Sequence, residues 1–113
     1  MSYWVYLQNK HGGTLPVDRH MEGGTFVVSG NPMAELNVTY NYSDVYRLIN
    51  FSISDLNGKR AGDYIEILTE LVKKFGDKPY DDYWAPTPGN AGHALSILLA
   101  WAKQHPDGIF KVS

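Results

Sequence analysis

In "AELNVTYNY", residues 34 to 42, Ala34, Leu36, Val38, Tyr40 and Tyr42 alternate with Glu35, Asn37, Thr39 and Asn41. A period of two predicts a strand with one core face and one wet face. "SYWVYLQ" (2 to 8) sets Tyr3, Val5 and Leu7 against Trp4 and Tyr6, so both faces are partly covered, as in a central strand. "TFVVSG" (25 to 30) reads as a further strand, closed by "GNPM". The repeated Gly12-Gly13-Thr14 and Gly23-Gly24-Thr25 supply the positive φ that tight connections of a meander need. No lysine follows them in the register of a phosphate loop.

The period then changes. Ser43 before "DVYRLIN" reads as the N-cap of a short helix. Ala61, Ile65, Leu68, Val72 and Phe75 recur in steps of four and three, predicting a helix over 61 to 75 that Gly76 stops. A second helix is predicted over 90 to 104, with Ala91, Ala94, Leu95, Leu98, Trp101 and Ala102 inward and "HPDG" as its end. Between them, "DKPYDDYWAPTPGN" (77 to 90) is too kinked for an element and too aromatic for a bare linker, so an ordered loop packed on the body is expected. The pattern predicts one α+β domain, an N-terminal antiparallel sheet of about four strands covered on one face by two main helices. The uncovered face, aromatic and polar, implies a homodimer or higher homo-oligomer.

Composition narrows this picture. The 113 residues suffice for a single core, and 43% hydrophobic with 13% aromatic content belongs to a folded chain. There is no cysteine, which fits a reducing cytoplasm. Neither a signal peptide nor an apolar run of roughly 18 residues is present, so no membrane association is expected. A net charge of -2 with scattered basic residues argues against a nucleic-acid polymer as partner.

Candidate chemistry concentrates in two stretches. In "NVTYNYSDVY" (37 to 46), Asn37, Thr39 and Asn41 share the wet side, with Tyr40 and Tyr42 among them. In "TPGNAGHAL" a helix start leaves amide donors unpaired while Gly89, Ala91 and Gly92 permit close approach, the setting for an anion such as phosphate. A structural alternative stands beside each: Asp81 or Asp82 capping its own loop, and His93 as a partly exposed residue of a first helical turn. The histidines have no metal-ligand spacing, and no nucleophile elbow, Walker motif or dinucleotide fingerprint occurs, so neither metal nor cofactor is expected.

The motifs "MEGGTFVV", "LNVTYNYS", "DDYWAPTPGNAGHAL" and "HPDGIF", in this order, resemble an uncharacterised family of small proteins encoded by tailed phages, prophages and other bacterial mobile elements. The resemblance spans nearly the whole chain and implies an accessory protein of the bacterial host cytoplasm, with a possible counter-defence role. Its matching positions include Asn37, Thr39, Tyr40, Asn41, Tyr42, Asp82, Tyr83, Trp84, Thr87, Gly89 and Asn90. On the leading expectation the protein is not an enzyme but sequesters a small nucleotide-like ligand. In that reading Tyr40, Tyr42 or Trp84 stacks on a base, Asn37, Thr39 and Asn41 bond its edges, and the amides from Gly89 hold phosphate. Asp82, Tyr83, Thr87, Asn90 and His93 complete the candidate ligand-binding set. Two alternatives remain: an inhibitor that binds a host protein through the same aromatic surface, and a small enzyme using His93 and Asp82 as acid and base.

Overall fold

A computed structural model describes residues 2–17, 33–78, 80–82 and 85–113. Three strands, β1 (Ser2–Gln8), β2 (Glu35–Thr39) and β3 (Ile109–Val112), form an antiparallel sheet in the order β2-β1-β3. Three α-helices, α1 (Ser43–Arg47), α2 (Ile65–Phe75) and α3 (Pro88–Gln104), complete an α+β domain in which α2 and α3 are the main helices. No helix among the described residues is long and apolar enough to cross a membrane. The expected strand at 25 to 30, with its Gly23-Gly24-Thr25 turn, lies outside the described residues.

β1 is the central strand, as its two-sided hydrophobicity requires. Its Val5 pairs with Leu36 and its Leu7 with Phe110, all four fully buried on the core face. β3 follows the "HPDG" turn, where the sequence pattern ended, because Phe110 supplies the large side chain opposite Leu7. The outer edge of β3 is also occupied. The Phe110 amide donates to the Lys59 carbonyl at 2.9 Å, the Gly58 amide donates to the Phe110 carbonyl at 2.8 Å, and the Val112 amide donates to Asn57 Oδ1 at 2.9 Å. A strap over residues 57 to 61 thereby satisfies ladder groups that a bare edge would expose.

The helices follow their stripes with adjusted ends. α2 is entered through a 3-10 turn at Ala61–Tyr64, buries Leu68 completely, and ends at Gly76, whose φ of 78° is costly for any side chain bearing a Cβ. α3 starts two residues earlier than its apolar pattern, at Pro88, with the Thr87 hydroxyl accepting the Asn90 amide at 3.2 Å. Every inward position expected of α3 is buried, and so are Asn90, Gly92, His93, Ser96, Ile97 and Leu99. It is therefore a central helix, covered on several sides, rather than an amphipathic lid.

Glycine sets how close α2 and α3 come. A methyl group on Gly92 would lie 1.7 Å from the Gly76 carbonyl oxygen and 2.9 Å from Phe75 Cβ, and one on Gly89 would lie 2.2 Å from the Lys78 carbonyl oxygen. Neither backbone can yield without separating the C-terminal end of α2 from the start of α3. Gly92→Ala should accordingly lose about 3 kcal/mol in urea unfolding, at the upper end of ordinary overpacking costs. A loss below about 0.5 kcal/mol, the range of an unconstrained surface change, would refute that close contact.

Candidate functional site

The two candidate stretches are built on different supports. Strand parity directs Leu36 and Val38 into the core and Asn37 and Thr39 to the opposite face, but that face is not wet at these positions. Asn37 and Thr39 are only 5% and 4% exposed. The Asn37 amide nitrogen donates to Ser2 Oγ at 2.6 Å, across the β1–β2 pair, which meets the need of a buried polar group for a partner. Thr39 closes the strand, and its Oγ1 accepts the Asn41 amide at 3.2 Å, capping the 3-10 turn Tyr40–Tyr42. The cap thus falls on Thr39 rather than Ser43, which lies inside the continuous helical run.

The two tyrosines, expected on one face, separate for the same reason. A 3-10 turn advances three residues per revolution, so strand parity ends at Thr39. Tyr40 turns outward, 39% exposed, with its ring edge-on to Tyr3 at 4.5 Å. Asn41 is exposed, whereas Tyr42 is fully buried and meets Tyr46 edge-on at 6.5 Å.

Tyr46 was not among the sequence candidates, although its position four residues after Tyr42 places both on one helical face. Its hydroxyl donates to the Ala91 carbonyl at 2.9 Å, and its ring packs against Phe51 and Phe75, at 5.5 and 6.1 Å. It pins α1 to α2 and α3. Burial first, and the neighbouring Tyr42 second, push its phenol well above the usual tyrosine range, so it serves as a neutral donor.

The second stretch is organised by Asn90, which is fully buried. Its Oδ1 accepts the Tyr80 amide at 2.7 Å, and its Nδ2 donates to the Asp82 carbonyl at 3.0 Å and the Ala85 carbonyl at 2.9 Å. One side chain therefore supplies hydrogen-bond partners to the backbone of Tyr80, Asp82 and Ala85, which no ladder serves. Thr87 supplies the helix cap, and the close approach at Gly89 and Gly92 is used by the chain's own Lys78 and Gly76 carbonyls. Those carbonyls take the space that the sequence reading offered to an anion. Tyr83 and Trp84 lie outside the described residues.

His93 is 8% exposed, and its Nδ1 lies 2.9 Å from the Asp77 carbonyl oxygen. A carbonyl only accepts, so Nδ1 carries a hydrogen, and Nε2 is enclosed and has no hydrogen-bond partner among the described residues. Asp82 is exposed and takes part in the loop through its backbone oxygen. A general acid or base must reach the group with which it exchanges a proton, and an enclosed Nε2 does not provide that reach.

Open surface lies elsewhere. A groove of about 560 Å³ is lined by Phe51, Asn57, Lys59, Tyr64 and Ile67. A smaller cleft of about 420 Å³ lies between the turns at 9 to 13 and 104 to 108. The groove had a sequence signal: Ile67 is apolar but falls off the α2 stripe, and it is 45% exposed. Comparison of the chain with family models, curated proteins and solved structures returned no match.

Asn90→Ala should destabilise by about 3 kcal/mol, since three backbone groups lose their partner. Asn90→Asp should cost more at neutral pH, because a carboxylate cannot donate to the two carbonyls it would face. Unfolding curves for both variants that overlay the wild type would contradict the role given to Asn90.

Proposed function

We propose that the protein is a non-catalytic accessory protein that binds another protein through the groove beside α2. The observation that carries this reading is the 45% exposure of Ile67 in the lining of that groove, whereas most other large aliphatic side chains among the described residues are enclosed. Ile67 lines a groove together with Phe51, Tyr64, Lys59 and Asp55. Aromatic and aliphatic side chains mixed with polar and charged ones are the usual composition of a protein-binding patch. The resemblance to small proteins of phages and mobile elements supports an inhibitor of a host protein as the biological form of this activity.

The nucleotide reading finds less support. Asn37, Thr39, Tyr42, Asn90 and His93 are buried, and Asn37, Thr39 and Asn90 spend polar atoms on the chain itself. The amide at Asn90 is capped by Thr87.

Tagged protein incubated with a lysate of the bacterial host should retain one partner in stoichiometric amount. Ile67→Glu should retain at least tenfold less, since burying an isoleucine contributes about 1.5 to 3 kcal/mol and a glutamate would have to be desolvated in its place. Its own unfolding curve should be unchanged, because Ile67 is already half exposed. Equal retention by Ile67→Glu would overturn the assignment of the groove. So would a protein that retains no partner but releases a nucleotide on denaturation.

A further inference from the structure

We propose that Asn57 is a site of spontaneous modification, deamidation to isoaspartate, and that the bonds between its strap and β3 control when the reaction occurs. Asn57 is the one asparagine of the chain followed by glycine, and Asn57, Gly58 and Lys59 are all exposed. Glycine carries no side chain to hinder attack by its own nitrogen, and around Gly58 even an added methyl group would meet nothing within 4 Å.

In the reaction the Gly58 nitrogen bonds to Asn57 Cγ while the Cγ–Nδ2 bond breaks, and the proton lost from Gly58 leaves with Nδ2 as ammonia. Water then opens the five-membered ring. Its addition at Cγ gives aspartate, and its addition at the main-chain carbonyl carbon gives isoaspartate, whose backbone runs through the side chain and is one carbon longer.

The fold holds the reacting groups off this course. Residues 56 to 59 form a type II turn, in which Asn57 has φ -59° and ψ 124°, Gly58 has φ 79°, and the Lys59 amide donates to the Leu56 carbonyl at 3.0 Å. Ring closure needs an Asn57 ψ of opposite sign, which swings the Gly58 nitrogen alongside Cβ. The Gly58 N–H that must be given up donates to the Phe110 carbonyl at 2.8 Å, and Asn57 Oδ1 accepts the Val112 amide at 2.9 Å. Reaction therefore requires the strap to lift from β3. That opening is local, because the buried Leu56 and Ala61 anchor its two ends, the Ala61 amide donating to the Gly108 carbonyl at 2.7 Å.

The product makes the opening permanent. With one more carbon in the backbone, the strap cannot restore its bonds to Phe110 and Val112 together, whereas aspartate at 57 keeps both the chain length and an acceptor for the Val112 amide. Asn57 and Lys59 line the groove beside α2, so the modified form should also lose the groove's shape. The modification itself stands whether or not that groove holds a partner.

The full chain is incubated at mildly alkaline pH, folded and in guanidinium chloride above its unfolding midpoint, and then cut with trypsin. The fragment from Leu48 to Lys59 contains both Asn57 and Asn50, so Asn50 serves as an internal control. Fragment sequencing by mass spectrometry should find amide-to-acid conversion at Asn57 at least tenfold faster than at Asn50 in the unfolded chain, and at least tenfold slower at Asn57 in the folded chain. The isoaspartate form, separated after long incubation of the folded protein, should exchange its Phe110 and Val112 amides at least tenfold faster than either the unmodified protein or Asn57→Asp. Equal Asn57 rates in the folded and unfolded chains, conversion of Asn50 as fast as Asn57, or an isoaspartate form that keeps both amides slow would overturn the proposal.

Discussion

The close seating of the first turns of α3 against residues 76 to 78 is the constraint on which the rest of the fold depends. With hydrogen alone on Gly89 and Gly92, the Lys78 and Gly76 carbonyls reach the helix surface, and the chain leaving α2 can turn directly along the start of α3. Asn90 then fastens the following loop from inside through Tyr80, Asp82 and Ala85. Tyr46, bonded to Ala91, brings α1 onto the same point. A short irregular region is thereby held by buried polar bonds, where the cost of losing one partner exceeds the net value of an ordinary hydrogen bond.

The same residues explain why a ligand site was the natural reading of the sequence. Small residues at a helix start with unpaired amides suit a phosphate, but they equally suit a nearby backbone carbonyl, and local sequence does not distinguish an external from an internal partner. What was legible followed from long, regular periods: the two-sided β1, the inward Leu36 and Val38, and the stripes of α2 and α3. What was not legible depended on where a period stops. Strand parity carried past Thr39 assigns both Tyr40 and Tyr42 to the core, while the 3-10 turn turns Tyr40 outward and buries Tyr42 alone. β3 is too short to declare a period, and its place is set by Leu7 and the 57 to 61 strap, far away in sequence. Asn37 and Thr39 were legible as polar but not as buried, because burial of a polar side chain is decided by its partner, here Ser2 for Asn37.

The two open features of the surface meet at that strap. Asn57 and Lys59 line the groove, Arg60 fixes Asp107 at the cleft, and the backbone between them is bonded to β3. The groove and Asp107 are thus tied to β3 through this hydrogen-bonded strap rather than through the loop that first attracted attention.

Amide hydrogen exchange in the ligand-free protein tests most directly whether the 77 to 90 segment is an internal support. If Asn90 holds the loop, the Tyr80 and Asn90 amides exchange slowly with nothing added, and adding nucleotides leaves their rates unchanged. Rapid exchange of both amides that slows only when a nucleotide is present would contradict it, and would return the segment to the role of a ligand site.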